Sequence, residues 1–359
     1  MKINKYEYHQ EKDLSYSPVN LSSVNLVVGI SGAGKSRFIN TLFNLALFAS
    51  NERNIDIRDG HWNIAFSENN HEYNWLVSIQ KGKVDREELN RLSDDKYESI
   101  LTRDKDRVTY RNNKIVKLRQ EKLSTLLLNE DELIEVRKGF SSFYQRKFSE
   151  HTLNEAMELG FIDPSLSINN LSFTETSELF SEKINLRLFY LKKKFEMNFN
   201  FIKENFREVF PFVSDLSISE DNPIFPLPVV KEKGIQKPIP ITELSSGMKK
   251  ILLFLTDLTT MKKSSVYLID EYENSLGVNA IDFLPELIYE RSEDIQFIIT
   301  SHHPYIINNI PIENWLVFNR KGSRVNIIQG QEALERYGKS KQDAFIKLIN
   351  DPLFTHEDL

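Results

Sequence analysis

A short run near the amino terminus, Gly29-Ile-Ser-Gly-Ala-Gly-Lys35-Ser36, has the residue types and spacing of a phosphate cradle. Its glycines, Gly29, Gly32 and Gly34, let backbone N–H groups close around phosphate oxygens, and a helix starting there adds the positive end of its dipole. Lys35 stands where an ammonium reaches the β- and γ-phosphates of a nucleoside triphosphate, and the Ser36 hydroxyl stands where it ligates Mg2+. Ser31, Ala33 and Arg37 complete the expected nucleotide-contacting set.

Three further places carry groups suited to the same chemistry. Val266-Tyr-Leu-Ile-Asp270-Glu271 is an apolar run ending in two carboxylates. Asp270 would hold Mg2+ through its water shell, and Glu271 would polarise an attacking water as general base. Leu244-Ser-Ser-Gly247 opens a long apolar helix; Ser245, Ser246 and the Gly247 backbone form a second anion site for a γ-phosphate. Phe297-Ile-Ile-Thr-Ser-His302 ends a buried strand on a histidine that could meet the γ-phosphate and the water. Alone, the three would read as an acidic turn, a helix N-cap and a structural histidine. Their order after the cradle gives them a common meaning.

The elements that must position these residues follow from periodicity. Asn25 to Gly29 reads as a buried strand entering the cradle, with helix from Lys35 to about Phe48. Trp62–Phe66, Asn74–Ile79, Val108–Tyr110 and Lys114–Val116 alternate between turn-like segments, which predicts an antiparallel meander beside the first strand. Helical spacing prevails from Gln120 to about Phe210, a helical insertion too short for a long coiled-coil arm. Prolines at 223, 226, 228 and 238 end it. Helix and strand then alternate through Met248–Met261, Val266–Ile269, Ile281–Glu290 and Phe297–Thr300, the pattern of a parallel sheet with crossover helices. The expected organisation is residues 1–119 and 241–359 as two parts of one core, with 120–240 as an inserted lobe.

Composition bounds the rest. The 359 residues contain no cysteine, which excludes thiolate metal sites and cysteine nucleophiles and fits a reducing cytoplasm. No apolar run approaches the roughly 20 residues needed to span a bilayer. Net charge is −6, so nothing global draws the chain to nucleic acid, although basic runs occur at Arg111–Lys122, Arg187–Lys194 and Arg320–Arg324.

At the places quoted above the sequence resembles the ABC ATPase superfamily, in particular the non-transporting, SMC-like and OLD-like bacterial branch (AAA_15 and AAA_21). The resemblance matches Gly29–Ser36 to Walker A, Leu244–Met248 to the signature loop, Val266–Glu271 to Walker B, Asn274–Leu276 to the D-loop and Thr300–His302 to the H-loop. It implies an α/β P-loop NTPase with a mixed core sheet, an antiparallel β meander and a helical lobe. It also implies ATP and Mg2+ as ligands, Lys35, Glu271 and His302 as catalytic groups, and Ser36 and Asp270 on the metal. ATP would lie between Walker A of one subunit and the signature loop of another, so the working unit would be a homodimer or a higher homo-oligomer.

Some positions depart from that pattern. Ser246 and Met248 replace residues usual in transporters, Gly277 follows the D-loop where relatives carry histidine or aspartate, and the Q-loop rests between Gln80 and Gln120. Tyr6, Tyr8 and Tyr16 are candidates for stacking on adenine.

The meander and helical lobe further resemble the ATPases of anti-phage systems such as AriA of PARIS and PtuA of Septu. That implies a sensor or scaffold controlling a separate nuclease or toxin and answering a phage-encoded trigger; the alternative is a repair-type ATPase acting on duplex DNA. No effector is legible within the chain. Asp104-Lys-Asp106 lacks the context of a Toprim metal site, Arg146 to His151 has only the loose spacing of a HEPN ribonuclease motif on a helix, and residues 338–349 read as an amphipathic helix.

Overall fold

A computed structural model of the chain describes residues 1–11, 13–51, 57–111, 114–162, 183–219, 224–273 and 278–337. The chain opens with strands β1 (Lys2–His9), β2 (Ser15–Asn20) and β3 (Val24–Val28), then helix α1 (Lys35–Ser50). A meander follows: β4 (Gly60–Glu68), β5 (His71–Gln80), β6 (Lys83–Ser93), β7 (Lys96–Asp104), β8 (Arg107–Tyr110) and β9 (Lys114–Lys117). Helices α2 (Ser124–Leu127) and α3 (Asp131–Phe140) lead to β10 (Phe143–Lys147). Next come α4 (Glu150–Ala156), α5 (Ile184–Lys194) and α6 (Glu196–Val209), then β11 (Val213–Ser219), β12 (Leu227–Glu232) and β13 (Ile239–Pro240). The remainder is α7 (Ser246–Thr260), β14 (Ser265–Asp270), α8 (Val278–Arg291), β15 (Ile295–Thr300), α9 (Pro304–Asn309), β16 (Trp315–Lys321), β17 (Arg324–Gln329) and α10 (Gly330–Tyr337).

Two compact units result. The first comprises Met1–Arg146, Ser264–Tyr272 and Ser292–Leu359; the second comprises Lys147–Lys263 and Glu273–Arg291. In the first, the described strands form one 14-stranded sheet in the order β10-β14-β15-β3-β16-β17-β2-β1-β4-β5-β6-β7-β8-β9. Strands β14, β15, β3 and β16 run parallel. Every side chain of β14, β15 and β3 is buried, because such strands are covered on both faces; they are mainly apolar, and the buried amides of Asn25 and Gln296 donate to backbone carbonyls of Phe297 and Ile3. The meander is antiparallel and continuous with β1. It therefore shares the sheet of the first P-loop strand but reaches it only through β1, β2, β17 and β16.

The expected α/β class, mixed sheet, meander and helical content are all present. The differences concern elements whose pattern hid them. Strands β6 and β7 carry many charges, Lys83, Asp85, Arg86, Glu87 and Glu88 among them, and extend the meander by a hairpin that alternation of apolar residues did not reveal. Strand β10 interrupts the stretch read as helical; its Phe143 is buried and the strand lies at the β14 edge of the sheet.

The second unit packs α5 and α6 with α7, whose apolar residues from Met248 to Leu258 are all buried. Burying a charge requires a partner, and Arg187 has one: it donates to Asp257 Oδ1 at 2.8 Å and to Thr260 Oγ1 at 2.5 Å. The basic run beginning at Arg187 is thus anchored in a core at its first residue. A three-stranded sheet, β11-β12-β13, completes this unit.

Candidate nucleotide site

Because β3, β15 and β14 are parallel neighbours, their carboxyl ends lie at one edge of the sheet, the edge at which open α/β folds bind ligands. The register pairs Thr300 with Val27 and Ile269 with Ile299, so the cradle after β3 and the carboxylates after β14 are two strands apart. At the usual spacing between strands that is about 10 Å.

The cradle has the backbone its sequence anticipates. Gly32 and Gly34 have φ of 81° and 95°, in the left-handed region that favours glycine. At Gly29 the constraint is space: an added Cβ would lie 2.9 Å from the Phe318 carbonyl oxygen. Lys35 is buried, and its ammonium donates to the carbonyls of Gly29 at 2.8 Å and Ile30 at 2.9 Å, which folds the loop around it. Helix α1 has no side-chain cap and no acidic residue in its first turn. Its terminal N–H groups and dipole therefore suit an anion. Ser31 and Gly32 are exposed, Ala33 is buried, and Ser36 is half-buried in the first helical turn.

Arg37 is engaged elsewhere. Its guanidinium pairs with Asp13 and donates to Gln10 Oε1 at 3.1 Å, both in the β1–β2 connection, and it holds the Asp13 carboxyl below the usual carboxylate range. The three tyrosines offered for adenine are core residues. Tyr6, Tyr8 and Tyr16 are 0%, 1% and 2% exposed, with Tyr6 hydrogen-bonded to Thr41 and Tyr16 donating to the Gly34 carbonyl at 2.8 Å. A ring so covered has no face for a base; Tyr6 and Tyr16 brace α1 instead, and Tyr8 packs against Trp62.

At the opposite side of the site Asp270 is 6% exposed and its Oδ1 accepts from the Thr300 hydroxyl at 2.8 Å. Glu271 has φ of 54°, costly for a residue with a Cβ by roughly 1 kcal/mol or more, and its side chain is exposed. His302 is exposed just beyond β15. Among the described residues there is no cluster of three or more His, Cys, Asp or Glu. The buried Asp270 carboxylate and the Ser36 hydroxyl in the first turn of α1 are oxygen donors of the kind Mg2+ takes, an ion that keeps water and substrate oxygens and needs few protein ligands.

The signature residues belong to the second unit. Ser245 caps α7, its hydroxyl accepting from Met248 N–H at 3.3 Å, and Ser245 and Ser246 are exposed while Gly247 is half-exposed. The D-loop positions 274–277 and the carboxy-terminal amphipathic segment 338–349 lie outside the described residues.

One residue was missed. The setting sought for a Q-loop, a strand leading into the helical unit, is met by Gln145 on β10, not by Gln80 or Gln120. Its amide donates to Asn40 Oδ1 on α1 at 2.8 Å, and the second unit begins at Lys147. Gln80 ends β5 at an exposed hairpin, and the Gln120 carbonyl accepts from Val84. Recognising Phe143–Lys147 as a strand would have found it. The same strand removes the loose ribonuclease pattern, since Arg146 sits on β10 and His151 on α4, so they share no helix. Asp104 and Asp106 flank a tight β7–β8 turn at Lys105, whose φ is 53°.

Residues 24–308 match the AAA_21 family model, described as "AAA domain, putative AbiEii toxin, Type IV TA system". The chain belongs to this family. Over 132 residues it is also 26% identical to the chromosome partition protein Smc of Methanocaldococcus jannaschii, covering 34% of this chain and spanning only 11% of that relative's length. Among solved structures it is similar to an Smc head bound to the C-terminal winged-helix domain of ScpA, with TM-score 0.55, 14% identity, and coverage of 93% of this chain and 100% of that one. An Smc head with an extended coiled coil from Pyrococcus furiosus, bound to the C-terminal domain of ScpA, gives TM-score 0.51 at 12% identity over 93% and 98% of the two chains. This AAA_21 member thus has the P-loop fold of an SMC-type head.

Proposed function

We propose that this protein binds and hydrolyses ATP at sites completed by a second copy of the chain, and that its nucleotide state controls a separate effector. The observation that carries the hydrolytic reading is the convergence at one sheet edge of Lys35, seated in its glycine cradle, with Asp270 and the outward-turned Glu271.

In this reading the α1 N-terminus and the cradle N–H groups bind the phosphates, and Lys35 exchanges carbonyl contacts for β- and γ-phosphate oxygens. Ser36 and Asp270 would hold Mg2+, which would supply neutralisation of phosphate charge. Glu271 takes a proton from the attacking water, Gln145 and His302 order that water, and exposure of Glu271 and His302 leaves room for it. Ser245, Ser246 and Gly247 sit at an exposed helix N-terminus and would meet the γ-phosphate of the partner copy's nucleotide. The division into residues 1–119, 120–240 and 241–359 remains the proposed functional organisation: 1–119 carries the cradle, and 241–359 carries Asp270, Glu271 and His302 of the same half-site together with the signature loop that would complete a partner's.

Control of an effector is supported by the toxin-system description of the family. An anti-phage role, with a nuclease or toxin partner and a phage-encoded trigger, is the form of that control we favour. The test combines mixed oligomers with a pull-down. Lys35→Ala and Ser245→Arg subunits, each inactive alone, should recover activity when mixed, and ATP should change the yield of a co-purified neighbouring gene product. Hydrolysis that is stimulated by duplex DNA and falls steeply with salt would instead identify a DNA-acting ATPase, the reading closer to the Smc relative.

A further inference from the structure

Thr300, the last residue of β15, is 1% exposed and belongs to none of the phosphate-contacting groups above. Its hydroxyl accepts the Glu271 N–H at 2.8 Å and donates to Asp270 Oδ1 at 2.8 Å. Its carbonyl accepts the Tyr272 N–H at 3.0 Å. One residue thereby grips three consecutive positions where β14 leaves the sheet.

The direction of each bond is forced. An ionised carboxylate only accepts and a backbone N–H only donates, so the hydroxyl proton goes to Asp270 and an oxygen lone pair faces Glu271. No aliphatic side chain of the same shape can serve either neighbour. The consequence for Glu271 is conformational. All six β14 side chains are buried, so continued strand geometry would carry residue 271 into apolar surroundings, where a carboxylate is costly. Instead Glu271 turns at φ 54° and is exposed, with Thr300 bonded to the residue on each side of it and to its own N–H.

We infer that Thr300 is a positioning residue for hydrolysis: its hydroxyl orients the Asp270 carboxylate and holds the left-handed turn that delivers Glu271 to the attacking water. This rests on the ATPase reading above and adds to it a coupling between the strand that leads to His302 and the carboxylates of the neighbouring strand. Thr300 is buried with its hydroxyl engaged by Asp270 and the Glu271 N–H, so in this proposal it acts on turnover and on metal response, not on ATP affinity.

The experiment measures ATP turnover, its Mg2+ dependence, and binding of a fluorescent ATP analogue for wild type, Thr300→Val, Thr300→Ser and Glu271→Gln in the full chain. Loss of one hydrogen bond to a charged group and one to the turn should lower kcat of Thr300→Val about 10- to 100-fold. Analogue affinity should stay within about threefold, and half-maximal rate should require more Mg2+. Thr300→Ser, which keeps the hydroxyl, should retain kcat within about threefold of wild type. Wild-type kcat in Thr300→Val, or equal losses in the Val and Ser variants, would overturn the inference while leaving the ATPase reading intact. Equal turnover by wild type and Glu271→Gln would sink that reading and the inference together. Should Thr300→Val lack a cooperative melt, Thr300→Cys takes its place: the thiol is close in size and a weak hydrogen-bonding group, and the same selective fall in kcat is expected.

Discussion

Strands β3, β14 and β15 bury every side chain, whereas β4 alternates buried Trp62, Ile64 and Phe66 with half-exposed His61, Asn63 and Ala65. Both regions belong to one sheet. In the parallel region, polar side chains have no open face, and the groups suited to catalysis stand where the strands end and the chain turns. In the meander, polar residues lie on the open face and bond one another, for example Asn74 donating to Asn63 at 3.0 Å and Asn63 to Glu7 at 3.1 Å. A charge that enters the meander's covered face must be compensated. Glu87 and Arg103 lie 3.7 Å apart at no exposure, and Arg103 also donates to the carbonyls of Lys105, Arg119 and Lys122. Burial raises the Glu87 carboxyl above its usual range and lowers Arg103, so the pair is costly to maintain and costlier to split.

The contrast predicts that substitutions of the groups standing where the parallel strands end abolish activity without unfolding the chain, and that substitutions on the meander's covered face lower stability without changing turnover per folded molecule. The strongest case is Lys35→Ala, for which equilibrium binding should detect no ATP while circular dichroism and the melt stay near wild type. Glu271→Gln should keep ATP but lose about 10²- to 10⁴-fold in kcat, read in single-turnover assays. In the meander, Arg103→Met should cost about 3–5 kcal/mol in urea denaturation, by stranding Glu87, with turnover per folded molecule unchanged. Adding Glu87→Leu should recover only the part of that loss due to the stranded carboxylate, since the Ser124 N–H and the carbonyls of Lys105, Arg119 and Lys122 still lose their partners. Smallest of all, Asn63→Ala on the open face should cost at most about 1 kcal/mol. A large activity loss in Arg103→Met at full folding would break the comparison.

The legible parts of the site were those with local signatures. Glycine spacing before Lys35 fixes the cradle because only glycine adopts its φ values cheaply, and β14 announces itself as an apolar run closed by Asp270 and Glu271. Gln145 escaped because β10 is short and only Phe143 in it is buried, so it lacks the alternation by which strands are recognised. The tyrosines misled for the opposite reason: aromatic residues near a nucleotide loop suit either stacking or core, and exposure, a tertiary quantity, chose the core for Tyr6, Tyr8 and Tyr16. Arg37, next to Ser36 in sequence, was drawn to Asp13 by a turn that no spacing rule relates to it.

What the sequence by itself determined is the kind of chemistry: a triphosphate cradle, a carboxylate pair and a helix-opening serine loop, each set by residues adjacent in the chain, where covalent geometry fixes their spacing. What only the tertiary structure decided is which groups meet. Strand order brings Thr300 from thirty positions away onto Asp270 and Glu271, and seats Gln145 against α1. Such contacts depend on the register of strands remote in sequence, and register is set by packing over the whole sheet rather than by any one segment.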